Sequence, residues 1–182
     1  MPSLLCIFEK GKRLMKGIAK QFRGKAISRR LTIAMLLIAA AISGPAWASC
    51  WEQAGAQYGV DPVLLRSIAW TESHGRPDAV GPRLASGNVA IGQLQINTNH
   101  LSELAKFGIH KTDLFDACVS EVVGAWVLAD CIQRLGATWR AVGCYNTGPG
   151  SNNTAAQLRY IRDVQRNYAG YKAQQLAKSQ GE

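Results

Sequence analysis

Apolar residues recur every three or four positions over most of the chain after residue 50, which is the spacing of helices that bury one face. This pattern predicts six helices, at residues 50–58, 61–73, 98–107, 118–135, 138–144 and 153–177. Capping residues support these boundaries, since Asp61 and Pro62 suit a helix start and Gly59 suits a helix end. The segment 118–135 is the longest apolar one and is expected to be a buried central helix. Strand signals are weak, so the fold is predicted to be mainly α with at most a small hairpin at residues 88–96.

Glu72 interrupts the apolar face of the second predicted helix. It shares that face with Leu65 and Ile68, and an irregular loop rich in Gly and Pro, residues 74–92, follows it. A carboxyl on such a face is partly desolvated, which disfavours the charged form and raises the pKa. A raised pKa is what a general acid needs near neutral pH. Glu72 is therefore the candidate catalytic acid, and the alternative is a charged residue that caps the helix end in solvent.

The positive charge of the chain is concentrated at its start. Lys and Arg number 21 against 12 Asp and Glu, but residues 1–30 hold nine of the basic residues and only one of the acids. A non-ionic run, residues 31–42, and an Ala-x-Ala site that ends at Ala48 come next. This is the layout of a secretory signal. We therefore predict a signal peptide at residues 1–48 and one domain at residues 49–182.

The predicted mature domain is nearly neutral, with 12 basic and 11 acidic residues. The basic excess thus belongs to the export signal, which argues against a nucleic-acid partner. We expect a periplasmic protein that meets the membrane only through its signal peptide before cleavage. An uncleaved anchor stays open, although residues 31–42 are fewer than the roughly 20 apolar residues of a span. A lipoprotein site at Cys50 also stays open, although Trp47 stands where an aliphatic residue is usual, and the true start is Met1 or Met15.

Cysteine usage agrees with export to an oxidising compartment. Cys6 is removed with the predicted signal, which leaves an even number of four. Four cysteines allow three pairings, and we favour Cys50–Cys118 and Cys131–Cys144. The first would tie the first helix to the middle of the domain, and the second would close a short loop between neighbouring helices. A zinc site is the alternative, but there is no close C-x-x-C pair and the histidines are not at ligand spacing, so neither metal nor cofactor is predicted.

Three segments occur in an order that is characteristic of one enzyme family. They are Glu72-Ser73, the sequence Gly-Gln-Leu-Gln-Ile-Asn at residues 92–97, and the sequence Tyr-Asn-Thr-Gly at residues 145–148. Together they resemble the lysozyme-like domain of the soluble lytic transglycosylases. In that family a Glu-Ser pair closes a helix, a Gly-Leu-Met-Gln segment lines the groove, and an Ala-Tyr-Asn-Ala-Gly segment faces the acid. The resemblance covers residues 50–172 and implies a lysozyme-like helical fold of the goose type.

The resemblance implies an enzyme that binds peptidoglycan glycan strands and cleaves them with a single carboxylate. Glu72 would protonate the glycosidic oxygen, and then, as a base, activate the C6 hydroxyl of the same sugar to give a 1,6-anhydro product. The sugar N-acetyl group would assist at the anomeric carbon. The residues expected to bind substrate are Ser73, Gln95, Asn97, Tyr145 and Asn146. Structural alternatives remain for three of them: a helix-end serine for Ser73, a helix cap for Asn97 and a core aromatic for Tyr145.

Most other glycosidases use two carboxylates, and the sequence offers no convincing partner for Glu72. Asp78 is the nearest acid, but it follows Pro77 in the loop, where a turn-forming Asp is common. The other acids considered, at predicted surface or cap positions, are Asp113, Asp116 and Asp130. A lysozyme-type hydrolase and a non-catalytic glycan-binding component therefore stay open as alternatives, although the intact Glu72 argues against the second.

The chain departs from the family pattern at three positions. Gln93 replaces an apolar residue, so a groove position is expected to be polar. Cys144 replaces Ala and, if disulfide-bonded, would fix Tyr145, while Thr147 replaces Ala. The small exported size and the start of the mature chain resemble the specialised members that accompany type III or type IV secretion, conjugation and pilus systems. That resemblance implies local opening of the cell wall for an envelope-spanning apparatus, whose components would be partners.

Overall fold

Six α-helices and one small hairpin make up the part of the chain that the computed structural model describes, residues 50–181. The helices are α1 (Trp51–Tyr58), α2 (Pro62–Ser73), α3 (Leu101–Leu104), α4 (Ala117–Leu135), α5 (Trp139–Thr147) and α6 (Thr154–Gln180). The strands are β1 (Ala90–Ile91) and β2 (Ile96–Asn97). The prediction of a mainly α fold is confirmed. The predicted signal peptide, residues 1–48, lies outside the described residues.

The ends of the first two helices follow from local chemistry. Gly59 adopts φ of 67° and ends α1 in the left-handed region that glycine favours. At the start of α2 a carboxylate oxygen of Asp61 accepts a hydrogen bond of 2.8 Å from the Val63 N–H. His74 ends α2 with φ of 56°, and its N–H bonds back to carbonyls of the last turn. The predicted bounds of these helices are therefore confirmed.

The predicted helix at residues 98–107 is broken into shorter pieces. Only α3 is α-helical, and tighter 3-10 turns flank it at Thr98–His100 and Ala105–Phe107. Leu104 is the one fully buried residue of this segment, so packing gives little support to a longer α-helix. At the other end of the domain the last helix, α6, continues to Gln180, three residues beyond its predicted end.

The predicted hairpin exists but is minimal. Strands β1 and β2 pair antiparallel, with Ala90 opposite Asn97 and Ile91 opposite Ile96. The turn between the strands, residues 92–95, contains Gly92 with φ of 78°. A side chain at that position would collide with the carbonyl of Leu114, so only glycine fits. The hairpin therefore presents the 92–95 turn to the helices around it.

The long helix α4 is at the centre of the domain, as predicted. It packs against α1, α2 and α5. Its buried residues come from several sides of the helix, which is typical of a helix enclosed by others: Ser120, Glu121, Val123, Gly124, Ala125, Leu128 and Cys131. Glu121 is an acid in this otherwise small or apolar set, and it was not singled out by the sequence.

Both favoured disulfides are confirmed. Cys50 is bonded to Cys118, with 5.1 Å between the Cα atoms, and this bond ties the residue before α1 to the first turn of α4. Cys131 is bonded to Cys144, with 5.9 Å between the Cα atoms, and this bond joins α4 to α5. The second bond immediately precedes Tyr145, so it fixes the part of α5 that carries a predicted site residue.

The described residues hold neither a membrane span nor a metal cluster. Among the helices of residues 50–181, none is long and apolar enough to cross a membrane. Over the same range, no group of three or more His, Cys, Asp or Glu side chains is placed to hold a metal ion.

Candidate active site

Glu72 lies in the last turn of α2, half-buried between helices. Its oxygen Oε1 accepts a hydrogen bond of 2.7 Å from the hydroxyl of Tyr160 on α6. Burial raises the pKa of Glu72 to about 7, against a smaller lowering by the Tyr160 hydrogen bond. A carboxyl with this pKa is partly protonated at neutral pH and can both give and take a proton. This is the property that the sequence position of Glu72 predicted.

Tyr160 is a site residue that the sequence did not reveal. It is 7% exposed and stands 88 residues after Glu72, on the last helix, α6. Burial, and then the charge of Glu72, raise the pKa of Tyr160 well above its usual range, so its hydroxyl stays protonated. A protonated hydroxyl is a fixed donor that holds the Glu72 carboxyl in one orientation.

Tyr145 is beside the same carboxyl but has another hydrogen-bond partner. Its hydroxyl donates to the Leu94 carbonyl at 2.7 Å, which connects α5 to the 92–95 turn. Burial and then the Glu72 charge raise the pKa of Tyr145 well above its usual range. Since its proton is used on the backbone, only the oxygen lone pairs remain for substrate. Tyr145 is therefore better suited to accept from an N–H group than to donate to a carbonyl.

Ser73 is placed for a structural role. It is 3% exposed, and its hydroxyl donates to the Gln93 carbonyl at 2.8 Å and accepts from the Arg76 N–H at 3.0 Å. A buried hydroxyl with these partners orients neither the Glu72 carboxyl nor a sugar. The structure therefore favours the alternative interpretation of Ser73, in which it ties the end of α2 to the 92–95 turn.

Gln95 stabilises the turn in which it lies. It has φ of 48°, unusual for a residue with a side chain. Its amide nitrogen donates to the Gly92 carbonyl at 2.8 Å and to the Ala79 carbonyl at 3.3 Å. These contacts link the turn to the loop after α2 and leave the side-chain oxygen as the group of Gln95 that can still accept from a sugar hydroxyl.

The position of Gln93 contradicts the expectation that this residue makes the groove polar. Gln93 is only 5% exposed, and its side chain lies in the core beside α4. There its amide nitrogen donates to Oε1 of Glu121 at 2.8 Å and to the Ala117 carbonyl at 3.1 Å. The expectation is wrong because the Gln93 amide is buried against α4, where Glu121 and Ala117 accept its hydrogen bonds.

The two asparagines differ in their surroundings. Asn97 accepts a hydrogen bond of 3.0 Å from the Asn99 N–H and so caps the short helical turn after β2, which was its alternative interpretation. Asn146 follows Tyr145 on α5 and is exposed, so its amide is accessible to a ligand. The structure thus brings Glu72, Tyr145 and the 92–95 turn together and leaves Asn97 as a cap.

The other acids have the ordinary roles that the sequence predicted. Asp113 accepts from the His110 N–H, Asp116 caps α4 at Val119, and Asp130 forms an ion pair with Arg134. Asp78 is exposed in the loop after α2. Within residues 50–181, the pKa of Glu72 is set by burial and by Tyr160, and no second carboxylate contributes.

A separate cavity of about 290 Å³ lies away from these residues. It opens between the α1–α2 junction and the start of α5, and it shares no lining residue with the Glu72 group. Its lining residues are Gly59, Val60, Asp61, Leu64, Ile132, Ala137, Thr138, Trp139, Val142 and Tyr168. Asp61 is already bonded there to Tyr168 and Lys172, so the cavity holds no free acid comparable to Glu72.

The sequence of the described domain is similar to a known protein family and to several known proteins. Residues 49–167 match the family described as the transglycosylase SLT domain. Invasion protein IagB from Salmonella typhimurium is 38% identical over 124 residues, which cover 68% of this chain and 77% of that protein. Protein IpgF from Shigella flexneri is 33% identical over 122 residues, which cover 66% of this chain and 80% of that protein.

A solved structure confirms the predicted fold. It is that of an inactive mutant of the lytic transglycosylase Slt from Pseudomonas aeruginosa, with a TM-score of 0.54 and 22% sequence identity. The likeness covers 70% of this chain and 24% of that chain. The six helices and small hairpin described above therefore form a lysozyme-like domain.

Proposed function

The chain belongs to the transglycosylase SLT family, and we propose that it is a lytic transglycosylase which cleaves the β-1,4 bond between N-acetylmuramic acid and N-acetylglucosamine. The product would carry a 1,6-anhydro-N-acetylmuramic acid end. Family membership supports peptidoglycan as the substrate. The observation that carries the finer proposal is Glu72, a half-buried acid with a pKa of about 7, bonded to Tyr160 and without a second carboxylate among the described residues that affects it.

The proposed reaction uses Glu72 twice. In the first step its carboxylic acid gives a proton to the glycosidic oxygen, the bond to the anomeric carbon breaks, and the N-acetyl group of the sugar bonds to that carbon. In the second step the Glu72 carboxylate takes the proton of the C6 hydroxyl, and the C6 oxygen displaces the N-acetyl oxygen. Glu72 ends protonated as it began, and no water is consumed.

Tyr160 suits both steps of this reaction. Its hydroxyl hydrogen bond is stronger to the carboxylate than to the acid, so it stabilises Glu72 after the first proton transfer. Burial acts in the opposite direction and favours the acid needed at the start. The balance of these two effects keeps both forms accessible near neutral pH.

We also propose a place and a purpose for this reaction. The enzyme would act in the periplasm, after removal of residues 1–48, and would open the cell wall locally for an envelope-spanning secretion or conjugation apparatus. The similarity to a protein named for invasion supports this proposal, since the identity is 38% over most of both chains. Glycan strands would be the substrate, and components of the apparatus would be partners.

Product masses test the proposed chemistry directly. Residues 49–182 are incubated with purified peptidoglycan, and the released fragments are measured by mass spectrometry. We expect fragments that are lighter by one water than the products of a hydrolase and that carry no reducing end. Fragments of the hydrolysed mass would instead identify a lysozyme-type enzyme, and binding without release would identify a glycan-binding component.

A further inference from the structure

Glu121 is a buried acid to which the reaction above gives no role. It lies in the first half of α4 and is 1% exposed. Its oxygen Oε1 accepts from Gln93, whereas Oε2 has no well-aligned hydrogen-bond partner within residues 50–181. An incompletely paired carboxyl costs stability in a core, where an apolar residue of similar size would pack without that cost.

Glu121 is connected to the active site through the 92–95 turn. Gln93 donates to Glu121 with its side chain, and with its backbone carbonyl it accepts from Ser73, the residue after Glu72. The next residue, Leu94, donates its N–H to the Ser120 hydroxyl at 3.3 Å and accepts from Tyr145 at 2.7 Å. The turn is thus held by α4 on one side and by the Glu72 helix and α5 on the other.

The charges around Glu121 favour a proton on it. The pKa of Glu121 is raised to about 7, mainly by burial and to a smaller extent by the charges of Glu52 on α1 and Asp116 before α4. The Gln93 hydrogen bond and the nearby Cys50 N–H oppose this by favouring the charged carboxylate. The neighbouring Cys118 is in a disulfide and does not titrate. Glu121 therefore changes its charge in the same pH range as Glu72.

We propose, on the basis of the function proposed above, that Glu121 is a positioning residue for the active site. As a carboxylate it accepts a charge-assisted hydrogen bond from Gln93 and holds the 92–95 turn against Ser73 and Tyr145. As a neutral acid it holds Gln93 less strongly, because a hydrogen bond to an ionised acceptor is about twice as strong as a neutral one. Proton uptake by Glu121 then loosens the turn and lowers activity on the acid side.

Two acids with opposite requirements give a narrow pH profile. The reaction needs Glu72 protonated at its start, so activity falls as the pH rises above about 7. The turn needs Glu121 deprotonated, so activity also falls as the pH drops below about 7. The alkaline fall, which follows loss of the single Glu72 proton, approaches tenfold per pH unit, or about 1.4 kcal/mol. The acid-side fall levels off at the activity of the form with protonated Glu121.

The test compares pH profiles of peptidoglycan cleavage for the unmodified domain and for Glu121→Gln. The new side chain is neutral, so it holds Gln93 about as weakly as the protonated acid does, and it does not titrate. We therefore expect activity equal to that of the unmodified domain at low pH and lower at about pH 8, so that the acid-side fall disappears while the alkaline fall stays. Glu52→Gln is the graded control: Glu52 is exposed, and loss of its charge lowers the pKa of Glu121, which should shift the acid-side fall to lower pH. An unchanged acid side in Glu121→Gln would refute the proposal.

Two further measurements stay informative if Glu121→Gln does not fold or if the domain is not a transglycosylase. If Glu121→Gln does not fold, the double variant Gln93→Leu with Glu121→Leu replaces the polar pair by an apolar one and should also lack the acid-side fall.

Amide hydrogen exchange of Gln93, Leu94 and Gln95 measures the turn directly and requires no catalysis. These amides should exchange equally in the two proteins at about pH 5.5, where Glu121 is protonated, and faster in Glu121→Gln than in the unmodified domain at about pH 8.5, where only Glu121 is charged. Equal exchange at both pH values would refute the positioning role whether or not the domain is a transglycosylase.

Discussion

Glu72 and Glu121 have the same raised pKa, about 7, in two different regions of the domain. Glu72 ends a helix, is half-buried and has Tyr160 as its donor. Glu121 is inside the central helix, is almost fully buried and is reached by Gln93. Burial is the largest cause of the shift in both. A perturbed pKa therefore identifies an unusual environment, and accessibility decides whether that environment can serve chemistry.

The largest expected effect separates the two acids by activity. Glu72→Gln removes the proton donor and should lower the release of anhydro products by about 10²- to 10⁴-fold at every pH. Glu121→Gln keeps the proton donor and only weakens the hold on the 92–95 turn, so at about pH 8 it should lose far less activity than Glu72→Gln. Both variants are measured by quantifying fragments from purified peptidoglycan.

Asp78→Asn is the matched control for Glu72→Gln, since it removes an exposed carboxyl six residues further along the chain. It should leave activity unchanged. A loss as large as that of Glu72→Gln would show that Asp78 is a second catalytic carboxylate, and equal losses in Glu72→Gln and Glu121→Gln at pH 8 would end the distinction between the two acids.

The sequence was sufficient to predict what depends on local pattern. Glu72 stood out because an acid on an apolar helix face is visible in the order of residues. The even number of cysteines after the predicted signal indicated disulfides, and the favoured pairing rested on the positions of these cysteines relative to the predicted helices. The helix bounds at Gly59 and Asp61 followed from capping chemistry. These features need only the neighbours along the chain or simple counting.

The missed features all depend on contacts between distant parts of the chain. Tyr160 is 88 residues from Glu72, and Glu121 is 28 residues from Gln93, so only packing brings them together. Gln93 was expected in the groove because its neighbours match a groove motif. Its side chain instead reaches Glu121 on α4, a contact that the sequence around residue 93 does not reveal.

The next effect in size concerns stability and has the opposite sign to activity. Glu121 has a pKa of about 7 in the folded domain against 4.5 for an exposed glutamate, so between these values the folded state holds a proton that the unfolded state lacks. Stability from this group is therefore present at low pH and lost as the pH rises to about 7, by about 3 kcal/mol. Acidification should thus stabilise the fold while it lowers activity.

Urea unfolding at about pH 5 and pH 8 measures this change, on either side of the pKa. Glu121→Gln cannot titrate at residue 121, so the difference in unfolding free energy between the two pH values should be about 3 kcal/mol smaller than in the unmodified domain. Other acids cancel in this comparison because both proteins contain them. If both proteins show the same pH dependence, Glu121 is charged at pH 5, and the acid-side loss of activity has another origin.

The smallest expected effect tests the surroundings of Glu72 alone. Tyr160→Phe removes the hydrogen bond that lowers the pKa of Glu72, so that pKa should rise and the alkaline fall in activity should move up by about one pH unit. Tyr168→Phe is the matched control, since it removes a hydroxyl on the same helix that donates to Asp61 instead. Because Tyr160 does not contact the Glu121 pair, the acid side should not move in either variant. A shift of both sides in Tyr160→Phe would mean that the two acids titrate as one coupled system, and the separation between a reacting acid and a positioning acid would then have to be abandoned.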